Sequence, residues 1–429
     1  MKLNIFWFRR DLRLEDNTAL NHALSSDLPV LPLFIFDTNI TDELPADDAR
    51  INFIHETLFS LNKEIIKQGG SVCVKKGDPE EIWTKLIASY DVNAVYVNKD
   101  YEPYAVERDK KIESILKRHQ ISFFPFKDQL IFEEGEILKP DKRPYTIFTP
   151  YKNRWLKLWN ECLADNHDLP AKKHKNYYHH TYPFPELWET GFTKSVLKVR
   201  SYDLTVIPEY HIFRDIPSAD RTSYLSPHLR FGTVSIRKMV KVASEQNKAF
   251  LNEMIWREFF MQILFHFPNV VTGNFKSHYD DIQWRNDEKD FGRWCNGETG
   301  YPMVDAGMRQ LNSTGYMHNR VRMIVSGFLC KHLLIDWRWG EAYFAQKLLD
   351  YELSSNNGNW QWAAGTGCDA APYFRIFNPD TQQKKFDPHK EYIRRWVTEY
   401  DTPSYPVPMV EHEYARQRAI EVYKAGIRR

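Results

Sequence analysis

Over the first 130 residues, short runs of β-branched and aromatic residues alternate with helix-like stretches, and this alternation limits the fold more than any other feature of the chain. Strand-like runs at 3–8, 30–36, 71–75, 94–97 and 121–126 are separated by helical patterns at 17–25, 50–68, 80–89 and 106–119. Such alternation predicts a doubly wound parallel sheet covered by helices. Asp78-Pro79-Glu80-Glu81 fits one helix start, with an N-cap, a first-turn proline and carboxylates near the positive helix end. The turn after the first run, Phe8-Arg9-Arg10-Asp11-Leu12-Arg13-Leu14, has none of the glycines that let a pyrophosphate approach, and there is no Walker-type loop. A dinucleotide, if held, is therefore expected elsewhere.

At 429 residues the chain exceeds one ordinary core. Residues 1–130 read as an α/β domain, and 131–200 as a connector rich in Pro and His, partly helical over 151–163. Residues 201–429 read as an all-α domain, with helical stretches at 235–246, 249–267, 306–314, 319–334 and 340–349. The net charge of +1 is unevenly placed, −4 up to Leu130 and +5 beyond it, which makes the helical part the better partner for a polyanion. Eight of the 13 tryptophans follow residue 250, consistent with an aromatic helical core or with a more specific use. Five cysteines (73, 162, 295, 330 and 368) without C-x-x-C spacing argue against a disulfide framework or a zinc site. The apolar run 5–8 is too short for a signal peptide or membrane span, so a cytoplasmic protein is expected.

Four segments carry candidate chemistry. Thr222-Ser223-Tyr224-Leu225-Ser226-Pro227 offers hydroxyls and an expected N-cap at Ser226, which suits a phosphate or simply a capped helix. Glu253, Trp256 and Arg257 fall within one helical turn, joining a carboxylate to an indole; an intrahelical Glu253–Arg257 pair is the alternative. Asn319, Arg320 and Arg322 cluster at the start of an apolar helix and suggest a ligand-facing mouth. Asp350 and Glu352 add acceptors, and Asn356-Asn357-Gly358-Asn359 reads as a polar turn leading to Trp360 and Trp362.

Taken in order, Trp7-Phe8-Arg9-Arg10-Asp11-Leu12-Arg13, the 222–227 segment, Asn252 to Phe259, Met317-His318-Asn319-Arg320-Val321-Arg322-Met323, and Asn356 to Trp362 with Tyr373 to Pro379 resemble the photolyase/cryptochrome family. The match is most like its class I cyclobutane pyrimidine dimer photolyases. The resemblance implies an antenna-type α/β domain, a connector and a helical domain that holds FAD. By position, the FAD contacts are Tyr210, Thr222, Ser223, Tyr224, Leu225, Ser226, Arg257, Asn319, Arg322, Asp350, Glu352 and Asn356, the last beside flavin N5. The lesion pocket takes Glu253, Trp256, Asn319, Arg320, Met323 and Trp362. DNA binding takes Arg214, Glu253, Arg257, Arg320, Arg375 and Lys385, and Trp360, Trp337 and Trp284 form an electron-transfer chain to the surface. Arg10, Asp37, Asp100 and Glu102 resemble the site of a second antenna chromophore, deazaflavin-type rather than folate-type, with an empty or flavin-filled pocket left open.

The implied function is light-driven repair of cyclobutane pyrimidine dimers, by electron transfer from reduced FAD to a flipped-out dimer. The partner is damaged DNA, and a monomer without membrane or obligate protein partner is expected. The alternatives are a cryptochrome-type light sensor and a nucleotide-binding protein without photochemistry. Both pocket tryptophans, and only a short charged segment after residue 410, count against the sensor. Phe250 and Tyr316 stand where tryptophan is frequent in the family and Glu352 where aspartate is usual. The rings are expected to keep packing, whereas the longer carboxylate can move an acceptor.

Overall fold

The computed structural model describes residues 1–164 and 176–427, except for the side chains of 162–164, so the Cys162 side chain lies outside what is described. They form two compact units: Met1–Ile137, Asn153–Tyr202 and Leu225–Val242 make the first, and Leu138–Lys152, Asp203–Tyr224 and Ala243–Arg429 the second.

In the first unit five parallel strands, β1 (Leu3–Phe8), β2 (Val30–Asp37), β3 (Cys73–Gly77), β4 (Val92–Asn98) and β5 (Ser122–Phe126), are ordered β3-β2-β1-β4-β5. All residues of β1 and β2 are buried, as expected for parallel strands covered on both faces. Their alternation splits the core in two: Phe6 and Phe8 pack with Leu20, Phe34 and Phe36, while Ile5 and Trp7 pack with Leu33, Ile35 and Trp83. The connecting helices Thr18–Leu24, Ala49–Ile66, Pro79–Ser89 and Pro103–Arg118 lie close to their sequence-expected positions. Asp78 caps Pro79–Ser89 by accepting from the N–H groups of Glu80 and Glu81 at 2.9 and 3.2 Å. Strand order reverses between β1 and β4, which opens a crevice beyond their carboxyl ends.

The tripartite division at residues 130 and 200 does not follow these units. Residues 225–242 pack with the sheet, because Phe231 enters the Phe34 and Phe36 core and Arg237 donates to Asp16 and, at 2.8 Å, to Asp128. These contacts span over a hundred residues, and local patterns cannot report them.

The second unit is helical. Pro302–Thr314, Asn319–Gly327, Trp337–Lys347 and Leu353–Ala364 surround a core that includes Trp294, Leu311, Phe328, Trp337 and Trp360, and Lys248–His266 packs on Leu353–Ala364. Asn319–Gly327 gives way to a π-helical turn, Phe328–His332, so the expected α-helix over 319–334 ends early. Asn356-Asn357-Gly358 is not a turn but the middle of Leu353–Ala364. The glycine serves packing: a Cβ on Gly358 would lie 2.1 Å from Phe260, and one on Gly340 would lie 2.1 Å from the Trp360 ring. Lys331, itself buried, holds the end of this helix by donating to the Ala364 carbonyl at 2.7 Å, and Tyr423 donates to the same oxygen at 2.8 Å. Among the described residues no helix is long and apolar enough to cross a membrane, and no group of His, Cys, Asp and Glu could hold a metal ion.

Two rings in this unit should make stability pH-dependent. Burial lowers the pKa of His318 to about 4 and that of His332 to about 3. Unfolded histidines bind protons from about pH 6.5 downward, whereas these rings resist until far lower pH, so their effect lowers stability as pH falls through that window. Burial raises the pKa of Asp305 and Glu253, which acts in the opposite sense, so the check is a paired comparison. Thermal melts from pH 7 to 4 should show a shallower loss for His332→Gln than for the parent, since Gln can still meet His412.

Candidate functional site

A cavity in the second unit is lined by Asn319, Arg322, Met323, Ser326, Phe344, Leu348, Asp350, Tyr351, Glu352, Ser355, Asn356, Asn359, Trp360 and Trp362. It thus brings together five of the expected FAD contacts, two of the remaining lesion residues and the first tryptophan of the expected chain. Arg322 donates to both Asp350 oxygens, at 3.2 and 2.9 Å, and to the Met317 carbonyl at 2.8 Å. Glu352 is the N-cap of Leu353–Ala364, accepting from the Ser354 hydroxyl at 2.6 Å and the Ser355 N–H at 2.9 Å. Its longer side chain therefore turns toward its own helix. The Asn356 amide donates to the Glu341 carboxylate at 2.9 Å and the Glu341 carbonyl at 3.1 Å. Because both acceptors need the amide nitrogen, the Asn356 oxygen is left as the acceptor for a ligand. Sequence reasoning missed Glu341, since nothing in its neighbourhood marks it; burial raises its pKa, and Asn356 opposes the rise.

Other expected residues lie outside this lining. Glu253 pairs with Arg214 at 2.8 Å and with Tyr210, so the intrahelical Glu253–Arg257 alternative is not the pairing formed. Burial raises the Glu253 pKa, and Arg214 and Tyr210 offset only part of the rise. Arg257 is half-buried on the same helix. Arg320 is also engaged: it pairs with Asp215 at 2.7 Å, reaches Met323 Sδ at 3.4 Å and lies over Phe386 at 4.4 Å. Arg375 and Lys385 are exposed. Trp256 lies flat against Phe148, with ring centroids 3.6 Å apart and planes 7° apart, so one of its faces is covered.

The hydroxyl segment differs from expectation in one respect. Ser226 is the first residue of the short helix Ser226–Arg230, and Leu225, which has no side-chain oxygen, is its cap. Thr222, Ser223 and Tyr224 belong to the second unit, where Tyr224 adopts a left-handed backbone (φ 51°) and its ring meets Tyr316 edge-on at 5.2 Å. Phe250 meets Tyr210 likewise at 5.1 Å. Both departures from tryptophan thus keep ring packing against expected FAD contacts.

Trp360 and Trp337 are buried and Trp284 is partly buried, and all three belong to one core cluster. The Trp337 indole donates to Asn274 at 2.9 Å. Trp360 also meets Trp294 edge-on at 6.2 Å.

In the first unit Arg10, Asp37, Asp100 and Glu102 all line one cavity at the strand-order reversal, together with Trp7, Arg9, Phe34, Phe36, Ile51, Tyr104, Arg108 and Arg230. Arg10 pairs with Asp100 at 3.1 Å and with Glu102 at 2.8 Å, and Tyr104 donates to Asp37 at 2.6 Å. Arg108 stacks on Trp7 at 4.9 Å. Its helical setting gave no sequence sign of this role.

Comparison with known proteins places these features in a family. Residues 4–174 match the family described as DNA photolyase, and residues 250–403 the FAD binding domain of DNA photolyase. The chain is 36% identical to a deoxyribodipyrimidine photo-lyase of Agrobacterium fabrum, over 98% of this chain and 97% of that protein. Among solved structures it resembles a bacterial class III photolyase from Agrobacterium tumefaciens, with a TM-score of 0.86 and 33% identity over 100% of this chain and 98% of the other. It also resembles an archaeal photolyase from Sulfolobus tokodaii solved with two FAD molecules, with a TM-score of 0.85 and 35% identity over 99% and 100% of the two chains. With its parallel sheet, its helical unit and both family segments in place, the chain belongs to the DNA photolyase family.

Proposed function

We propose that the protein repairs cyclobutane pyrimidine dimers in DNA under blue light, with FAD in the cavity of the second unit. The observation that carries the reading is the cavity wall itself: the Asn356 oxygen, the Arg322–Asp350 pair and the Trp360 and Trp362 indoles line one space. This wall fits a flavin, whose flat ring has apolar faces and an edge of alternating donors and acceptors. When bound, FAD supplies the photoexcited electron donor. Arg322 and Asp350 would orient its polar edge and Asn356 would offer an acceptor to it.

A dimer inside a duplex must be flipped out to reach such a cavity, and its weak stacking lowers that barrier. Trp362 and the remaining exposed part of Trp256 would form the apolar walls. Glu253 would meet the thymine carbonyl edge, with the hydrogen bond donated by its protonated form, which burial favours and the Arg214 pair opposes, or by a neighbour such as Asn319. The antenna cavity of the first unit, with paired arginines and carboxylates around apolar walls, suits a flat polar chromophore such as a deazaflavin or a second flavin. We read the protein as a cytoplasmic monomer. The deciding experiment is repair of a dimer-containing oligonucleotide under blue light by FAD-loaded protein; light-dependent flavin chemistry without repair would favour the sensor.

Phosphate contacts should come in two grades. Arg375 is exposed, so Arg375→Ala is expected to reduce the log–log salt slope of DNA binding by about 1. Arg320 already neutralises Asp215, so Arg320→Ala should change the slope less. Binding titrations over a salt series check both.

A further inference from the structure

The two indoles assigned to the lesion are joined by a route outside their own helices. Phe148, only 7% exposed, covers one face of Trp256 at 3.6 Å. It is the first residue of the helix Phe148–Ala164, where leading N–H groups lack intrahelical acceptors. Its N–H donates to the Asp369 carboxylate at 3.0 Å. Asp369 lies just past the turn that closes Leu353–Ala364, in which the Gly365 N–H meets the Trp362 carbonyl at 3.1 Å and the Gly367 N–H meets the Gln361 carbonyl at 3.1 Å. Trp256, Phe148, Asp369 and Trp362 all belong to the second unit.

We propose that Phe148 and Asp369 are positioning residues for lesion recognition: Phe148 fixes the plane of Trp256, and Asp369 ties that plane to the turn behind Trp362. This rests on the reading of Trp256 and Trp362 as the walls of the lesion pocket. An indole free on both faces stacks on any base, since every base has a π-face. Closing one face and fixing the plane, beside the contacts of Phe259 and Phe260 with the same indole at 5.6 and 5.4 Å, holds the exposed part of Trp256 at a set angle to its partner. The two bases of a cyclobutane dimer are covalently joined and cannot adopt the parallel stack of ordinary neighbours, so walls held at a fixed angle favour the dimer by preorganisation. Undamaged duplex held through its phosphates makes no use of those walls.

The test compares binding of dimer-containing and undamaged oligonucleotides of one sequence by FAD-loaded parent, Phe148→Leu, Phe148→Tyr, Asp369→Leu and the Phe148→Leu/Asp369→Leu double variant. Phe148→Leu and Asp369→Leu should each lose roughly 5- to 150-fold on dimer DNA, the size of one base–aromatic stack, and bind undamaged DNA as the parent does. The double variant should lose no more than the weaker single, since both act through one tie, and Phe148→Tyr should restore the preference. If Phe148→Leu keeps the parent's ratio of dimer to undamaged affinity, the ring only fills space and the proposal falls. Fully additive losses would remove Asp369 from it. A parent with no preference for dimer DNA would instead overturn the reading of the two walls, and this inference with it.

Discussion

Asp350→Ala should purify as a folded protein with little FAD. The Asp350 side chain is 8% exposed and Arg322 faces it with both oxygens engaged, so removing the carboxylate strands a guanidinium in the cavity wall. Breaking a fully buried pair costs about 3–5 kcal/mol, but Arg322 is 27% exposed and its charge is partly screened, so about 2 kcal/mol is the better expectation. A loss of that size in what the ordered pair contributes to FAD would read as roughly a 30-fold fall in FAD affinity. Arg322 would also lose the partner that fixes its fork, although its bond to the Met317 carbonyl remains. Asp350→Asn keeps an acceptor and should lose less. Flavin absorbance per mole of protein, with circular dichroism to confirm helix content, decides the matter. A yellow Asp350→Ala protein with unchanged FAD affinity would remove the pair from the cofactor site.

Trp360→Phe should largely abolish photoreduction of oxidised flavin while leaving FAD bound. Trp360 combines a place in the cavity wall with burial in the helical core, and phenylalanine keeps an apolar ring but is far harder to ionise. On the proposed order Trp360, Trp337, Trp284, Trp337→Phe should interrupt the same route, at the added loss of the hydrogen bond to Asn274. The smaller rings leave space behind, so a stability loss of about 1–3 kcal/mol is expected beside the photochemical one. Transient absorption after a blue flash separates the two effects. On the proposed reading the repair electron starts on the flavin, so repair by chemically reduced enzyme should survive in both variants. Parent-like photoreduction in Trp360→Phe would exclude the route, and Trp294, in edge contact with Trp360, would be the next indole to replace.

Much of this site was legible because its parts are local. The five strands, the cap at Asp78 and the helix bearing Glu253 and Trp256 follow from periodicity and capping within a few residues. What the sequence concealed depends on long-range partners. Asn356-Asn357-Gly358 has the composition of a turn, yet Phe260 and the Glu352 cap hold it as helix. Glu352 reads from its letter as an acceptor moved by an extra methylene, whereas its cap on Ser354 and Ser355 depends on the helix it starts. Arg214 and Arg320 carry the charge expected of phosphate contacts, but Glu253 and Asp215 already hold them. A side chain's charge can be read from its letter, whereas its prior engagement cannot.

The membership of residues 225–242 in the first unit has a bearing on how the chain is made. Synthesis runs from the N-terminus, and the sheet strands are complete by Phe126. The buried Asp128 carboxylate, however, receives Arg13 from the early chain and Arg237 from a segment that emerges about a hundred residues later. At 5–20 residues per second that is a wait of about 5–20 s. During it the nascent sheet carries an incompletely neutralised carboxylate and an apolar face without Phe231. Folding of the first unit on the ribosome should therefore finish late, after the start of the second unit has already been translated, and this interval is when the nascent chain would most need a chaperone.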